Sequence, residues 1–224
     1  MDFAKALRTG ATWITFAGAC IAVSAQVAAA TILVRVSAPD GAAVADVVAT
    51  VTPLDGTPPP AASRRDATMD QLGRRFVPQV LAIRTGTRVD FPNNDTVSHQ
   101  VYSFSPARRF QLPLYKGEVH PPLTFDTAGL VVLGCNIHDE MVGYIFVTDA
   151  PWFGVTGSDG TATMHDVPPG RYRIDLWGPR IADPAASLQR VVRVEGGDPS
   201  FAWTLARPLR PRPSPGPRDP DWDY

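Results

Sequence analysis

Apolar residues in this chain recur at every second position, in short runs, and almost nowhere at the three-to-four spacing of a helix. The runs are "ILVRVSA", "VVATVTP", "RVDF", "HQVYSF", "LVVLGC", "YIFVTD", "RYRIDLW" and "RVVRVEG". Strict alternation sends side chains to opposite faces of an extended strand, so each run reads as a strand with one face buried. Turn residues separate the runs at short intervals, and the 23 prolines and 18 glycines discourage long helices. The expectation is an all-β chain built as one or two sandwiches.

The two ends are different material. "MDFAKALRTGATWITFAGACIAVSAQVAAA" has a short basic start (Lys5, Arg8), an apolar middle and a run of small residues. That is the layout of a secretory signal peptide, with a cut expected after Ala30 or, second, after Ala25. A membrane anchor is the competing reading. The stretch is short for a bilayer, is diluted with Ala and Gly, and has no basic stop behind it. A lipoprotein cut before Cys20 is disfavoured by Ala17, where a larger aliphatic residue is expected. No other segment reads as a membrane span. At the far end, "RPLRPRPSPGPRDPDWDY" (207–224) is proline and charge, and reads as a disordered, partly polyproline extension.

Loss of the leader changes the cysteine arithmetic. The chain has two cysteines, Cys20 and Cys135, and Cys20 leaves with the signal. About 190 residues remain, enough for one or two small domains, holding one thiol that can close no internal disulfide. A lone thiol in an oxidising compartment needs burial, shielding or a metal. The formal net charge of −1 implies no nucleic-acid surface and no strongly charged partner.

The thiol sits in "GCNIHDEMVGY", between two runs read as strands. Cys135, His138 and Met141 follow the spacing C-x2-H-x2-M, and a loop that short can turn three side chains toward one point. His99, at the head of "HQVYSF" after the turn "FPNND", supplies a second imidazole. Two imidazoles, one thiolate and a weak axial thioether make a trigonal type 1 copper site. Other readings stand beside it. Cys135 could be a buried inert thiol, His99 a polar strand end and Met141 core. Zinc would prefer a second Cys or a carboxylate to a thioether. Asp139 and Glu140 could bind a harder ion, although their place between the ligands suggests a solvated rim. His120 and His165 lack partners at ligand spacing and read as surface histidines.

Residues 76–148 resemble a cupredoxin, the blue-copper fold of plastocyanin and amicyanin. "FVPQVLAIRTGTRVDFPNNDTVSHQVYSF" is similar to that family's strand, turn and first-ligand histidine. "FDTAGLVVLGCNIHDEMVGYIFV" is similar to its final hairpin and ligand loop, with the short spacing of amicyanin. The resemblance assigns the ligand roles to His99, Cys135, His138 and Met141. Gln100 stands where the family often has Asn, and Ile137 where it often has Pro. Both departures bear on the potential and the loop's rigidity. The insert "SPARRFQLPLYKGEVHPP" is longer and more basic than in the small carriers. The whole most resembles periplasmic cupredoxin-domain proteins called methylamine-utilisation proteins, a name that carries no statement about substrate here.

The flanks resemble a carboxypeptidase-regulatory-like β-sandwich in two pieces. "TILVRVSAPDGAAVADVVATVTPLDG" (31–56) matches its start. "VTGSDGTATMHDVPPGRYRIDLWGP" (155–179) and "RVVRVEGGDPSFAWTL" match the rest. Asp159-Gly160 and the Pro-Pro-Gly at 168–170 supply sharp turns. The expected organisation is a signal peptide (1–30), the first part of this sandwich (31–60), a Greek-key cupredoxin domain inserted in or packed beside it (61–150), the second part (151–206) and the tail (207–224). Two loose hairpins on the cupredoxin are the alternative.

The resemblance implies a periplasmic single-electron carrier holding one copper. Its partners would be a redox donor and acceptor, with neither nucleic acid nor membrane. His138 would be the electron port, beside an apolar patch of Phe104, Pro106, Leu112 and Pro113 biased by Arg108 and Arg109. A second possibility is a copper-binding envelope module for trafficking or partner binding. Catalysis ranks last, since four protein ligands would fill the ion's positions and no second cluster or catalytic motif is present.

Overall fold

The computed structural model describes residues 29–56, 66–117 and 120–212. The chain starts with β1 (Ala30–Ser37) and β2 (Val48–Pro53). It then runs through β3 (Asp66–Thr68), β4 (Asp70–Gln71), β5 (Phe76–Val77), β6 (Val80–Arg84), β7 (Thr87–Asp90), β8 (Tyr102–Ser103), β9 (Phe110–Gln111), β10 (Leu123–Phe125), β11 (Gly129–Leu133) and β12 (Gly143–Thr148). It ends with β13 (Trp152–Val155), β14 (Thr161–Val167), β15 (Gly170–Trp177), a single 3-10 turn at Ala185–Leu188, β16 (Gln189–Val194) and β17 (Ser200–Thr204). The protein is all-β, as the alternating runs require, and among the described residues no helix is long and apolar enough to cross a membrane.

The first two strands and the last five form one sandwich. Its sheets have the orders β14-β1-β17 and β13-β2-β15-β16. β1 turns Ile32, Val34 and Val36 inward, and β15 answers with Tyr172, Ile174 and Leu176, so period-two patterning on each becomes one core. The pairings span the chain: Leu33 lies opposite Thr163 on one side and, in parallel, Ser200 on the other. Gly160 closes the turn before β14 with a φ of +72°; a Cβ there would lie 2.6 Å from the Val36 carbonyl oxygen, so only glycine fits.

Strands β3–β12 form a second body with its own core, running from Met69 to Val147. Its two three-stranded sheets have the orders β10-β7-β3 and β11-β12-β6. Tyr144 and Phe146 point outward from β12 onto Trp177 of the flanking sandwich, with ring centroids 5.7 Å and 5.4 Å away. Arg84 donates to the carbonyls of Ala150 and Pro151 where the chain crosses back. A cleft of about 470 Å³ beside this junction is lined by Thr50, Phe146, Thr148, Arg173 and Asp175 among others.

Three expectations meet the structure differently. Residues 1–28 of the expected signal segment lie outside the described residues; Ala30, at its end, is 1% exposed and is the first residue of β1. A cut after Ala30 would remove that buried strand residue, whereas a cut after Ala25 leaves β1 whole. An extension unstructured from Arg207 is not what residues 207–212 show. Asp183 accepts the Arg207 amide, Arg180 exchanges two hydrogen bonds with Arg210, and Leu209 packs on the flanking core. Residues 213–224 lie outside the described residues. The run "HQVYSF" forms a strand only at Tyr102–Ser103; His99 instead bridges Tyr115.

Candidate metal centre

Two segments of the inner body build the site. The first is the turn after β7, where Asn93 acts as a knot. Its Nδ2 donates to the carbonyls of Val97 (3.0 Å) and Tyr115 (2.8 Å), and its Oδ1 accepts the Asp95 amide (3.0 Å). That knot delivers His99 into the core with no exposure at all. Its backbone exchanges two 3.0 Å bonds with Tyr115, whose hydroxyl donates to the Phe91 carbonyl at 2.5 Å. The second segment is the loop from β11 to β12. There the Met141 amide donates to the His138 carbonyl at 2.9 Å, folding C-x2-H-x2-M into one tight turn.

Three of the four expected ligand residues converge. His99 Nδ1 lies 3.2 Å from His138 Nδ1, and Cys135 Sγ lies 3.9 Å from the first and 3.8 Å from the second. Bonds of about 2.0 Å to nitrogen and 2.3 Å to sulfur, arranged in a trigonal plane, set N···N near 3.5 Å and N···S near 3.7 Å. The observed triangle has the right size for one ion, and its two-imidazole, one-thiol donor set suits copper or zinc. Met141 is buried in the same core as Cys135. Among the described residues no carboxylate joins the triad; Asp139 is exposed and Glu140 half-buried.

Local charges prepare these donors. Burial pushes the Cys135 thiol up, but hydrogen bonds from His99 and from the Gln100 and Ile137 amides more than offset this, and its pKa falls. Burial pulls the His99 imidazole down, and its bonds to Cys135 and Asp95 carry it above the ordinary histidine value. His138 is held below that value by burial and by the charges of His99 and Arg74. Thiolate character is what a soft metal ligand requires.

Asp95 is the residue that the sequence reading missed. Its Oδ2 lies 2.8 Å from His99 Nε2, and its side chain is 8% exposed. The only sequence signal was an aspartate four positions before the histidine, inside a turn where Asn and Asp are expected anyway. Gln100 also has a definite task. Its amide donates to Cys135 Sγ at 3.5 Å, and its side-chain oxygen accepts from Asn136 at 2.5 Å, tying the loop to the His99 segment.

The outer residues divide. Phe104 is 73% exposed and Ile137, next to His138, is 42% exposed. Leu112 is not part of an open patch: it packs on the inner core, and its amide bonds the Val101 carbonyl. Arg108 is half-buried rather than projecting. His120 is half-buried rather than a surface histidine: its ring stands edge-on to Tyr115 at 4.4 Å, and its Nε2 is buried with no hydrogen-bond partner among the described residues. His165 is exposed, with Nδ1 3.3 Å from the Thr31 hydroxyl.

No family profile matches the chain, and no curated protein matches it significantly. Among solved structures it is similar to a purple cupredoxin from Nitrosopumilus maritimus at 24% identity and a TM-score of 0.33, over 37% of this chain and 99% of that one. It is similar to a reduced amicyanin variant at 23% identity and a TM-score of 0.34, over 44% of this chain and 99% of the other. A copper-containing nitrite reductase from Thermus scotoductus aligns at 28% identity and a TM-score of 0.36, over 44% of this chain but only 25% of that protein.

Proposed function

We propose that the protein holds one type 1 copper ion and passes single electrons between redox proteins in the periplasm. The observation that carries this reading is the closed triangle of His99 Nδ1, His138 Nδ1 and Cys135 Sγ, with edges of 3.2, 3.8 and 3.9 Å. Copper, when bound, would supply a one-electron couple there. Cys135 and His99 hold their donor atoms in the core, where neighbouring side chains resist movement and water is excluded. Donors that stay put through a change of charge keep the reorganisation small. Met141 is the proposed axial ligand and would contribute a weak thioether donor that slightly stabilises the oxidised ion. His138 is partly exposed and is flanked in the loop by the exposed Ile137 and Asp139, which makes it the proposed port for a partner. Redox encounters of this sort need only a small contact area.

The test is the absorption and EPR spectrum of the copper-loaded protein, with Cys135→Ser beside it. The expected result is an intense visible band and reversible one-electron cycling in the wild type, both lost in the serine variant. A colourless, redox-silent wild type overturns the proposal, as does a serine variant that keeps the band.

A further inference from the structure

We infer that Asp95 is a positioning residue of this centre: its carboxylate fixes the orientation of His99 and, through its charge, favours the oxidised over the reduced ion. The inference rests on the metal-centre reading above. The geometry leaves His99 little choice. A carboxylate only accepts, so the nitrogen 2.8 Å from Asp95 Oδ2 must carry the proton. That nitrogen is Nε2, so it is Nδ1, the atom facing Cys135 and His138, that must give up its proton and offer a lone pair when a metal binds.

The carboxylate is itself clamped. Oδ2 also accepts the Arg74 amide at 2.6 Å, Oδ1 accepts the Thr96 amide at 2.7 Å, and the Asp95 amide is held by Asn93. With side-chain exposures of 0% for His99 and 8% for Asp95, water cannot compete for the bond. The two imidazoles are therefore unequal. His99 is locked in the core by an anion, whereas among the described residues none hydrogen-bonds Nε2 of His138. An anion behind a ligating imidazole raises its basicity. A negative charge also stabilises a doubly charged ion more than a singly charged one.

Asp95→Asn removes the charge and keeps the shape, losing only the bond from the Thr96 amide to Oδ1. An amide oxygen in the place of Oδ2 can still accept from His99 and from Arg74, while the charge is gone. In the purified full chain, Cu(II) affinity is expected to weaken by roughly ten- to a hundredfold, with Cu(I) affinity changed less. Each tenfold change in the Cu(II)/Cu(I) ratio raises the reduction potential by about 59 mV. A ratio unchanged within about twofold overturns the proposal, even if the melting temperature falls, because Asp95 would then only brace the turn. A second readout needs no copper. NMR of the metal-free protein should show an exchange-protected His99 Nε2–H in wild type that Asp95→Ala loses. Absence of that signal from the wild type overturns the positioning role. A wild type that shows it but takes up no copper overturns the metal reading and leaves the hydrogen bond standing.

Discussion

Gly143→Ala should cost the inner sandwich more than Gly134→Ala, although both glycines flank the ligand loop in ordinary extended backbone. Gly143 opens β12 opposite Leu133. A Cβ added there would lie 2.7 Å from Phe76 Cβ and 2.9 Å from Cγ and Cδ2, far inside carbon–carbon contact at about 3.5–4.0 Å. Phe76 is 2% exposed, and its Cβ rides on the backbone of β5, so turning the ring gives no relief. Overpacking of this kind costs about 1–3 kcal/mol. Restricting the unfolded chain returns about 0.4–1 kcal/mol, which leaves a net loss of about 1–2 kcal/mol. At Gly134 the new Cβ would meet the far end of Tyr102, with Cζ and Oη both at 2.7 Å. Tyr102 is half-exposed and can swing outward, so the net change should stay within about 0.5 kcal/mol of zero. For a chain of this size 1 kcal/mol is roughly 2–4 °C. Calorimetry of the metal-free variants should therefore show Gly143→Ala melting roughly 2–8 °C lower and Gly134→Ala nearly unchanged. Equal losses, or the reverse order, would refute the packing argument.

Met141→Leu keeps a buried apolar side chain but removes the thioether, so copper should stay bound while the potential rises; complete loss of copper, measured by metal analysis, would count against an axial role. In the metal-free protein Asp95 is held at about 2: burial pushes its pKa up, but hydrogen bonds from the Arg74 amide, His99 and the Thr96 amide more than offset this. A depressed carboxyl stabilises the fold above its unfolded pKa of 3.8 and loses that contribution as pH falls toward 2. Denaturant melts should show the advantage of wild type over Asp95→Asn shrinking by about 2 kcal/mol between pH 5 and pH 2; an advantage independent of pH would refute the attribution.

Strand positions were legible because period-two patterning survives wherever one face is buried, as on β1 and β15. Cys135, His138 and His99 could be singled out because a lone thiol and imidazoles at short spacing have few other uses. Partners in space were harder. The parallel pairings of β1 with β17 and of β6 with β12 leave no mark on the local pattern, since register depends on which distant strand arrives. Asp95 was hidden because an aspartate beside two asparagines already has a sufficient local explanation. Leu112 and Leu209 were misjudged for a related reason. Leu112 stands beside Pro113 and Leu209 beside Pro208, outside any sustained alternation, so only the packed structure reveals that each reaches a core. Likewise, the Arg207 and Arg210 backbone is held by Asp183 and Arg180, groups more than twenty residues away.

The way the inner body hangs from the outer sandwich bears on access to the site. The chain leaves β2 at Pro53 and returns in β13, whose Trp152 lies opposite Val51. Exit and return are thus adjacent, and an insertion there leaves the outer sheet's pairing intact. β12 joins the two ends of the inner body: Gly143 follows the ligand loop, and Thr148 precedes the crossing. Five steps of about 3.3 Å put roughly 17 Å between them. The contacts described across the boundary, Trp177 on Tyr144 and Phe146 and Arg84 on Ala150 and Pro151, fall on β12 and the crossing rather than on residues 135–141. The outer sandwich therefore grips one flank and the far end of the strand that carries the loop, and His138 remains partly exposed at the other end.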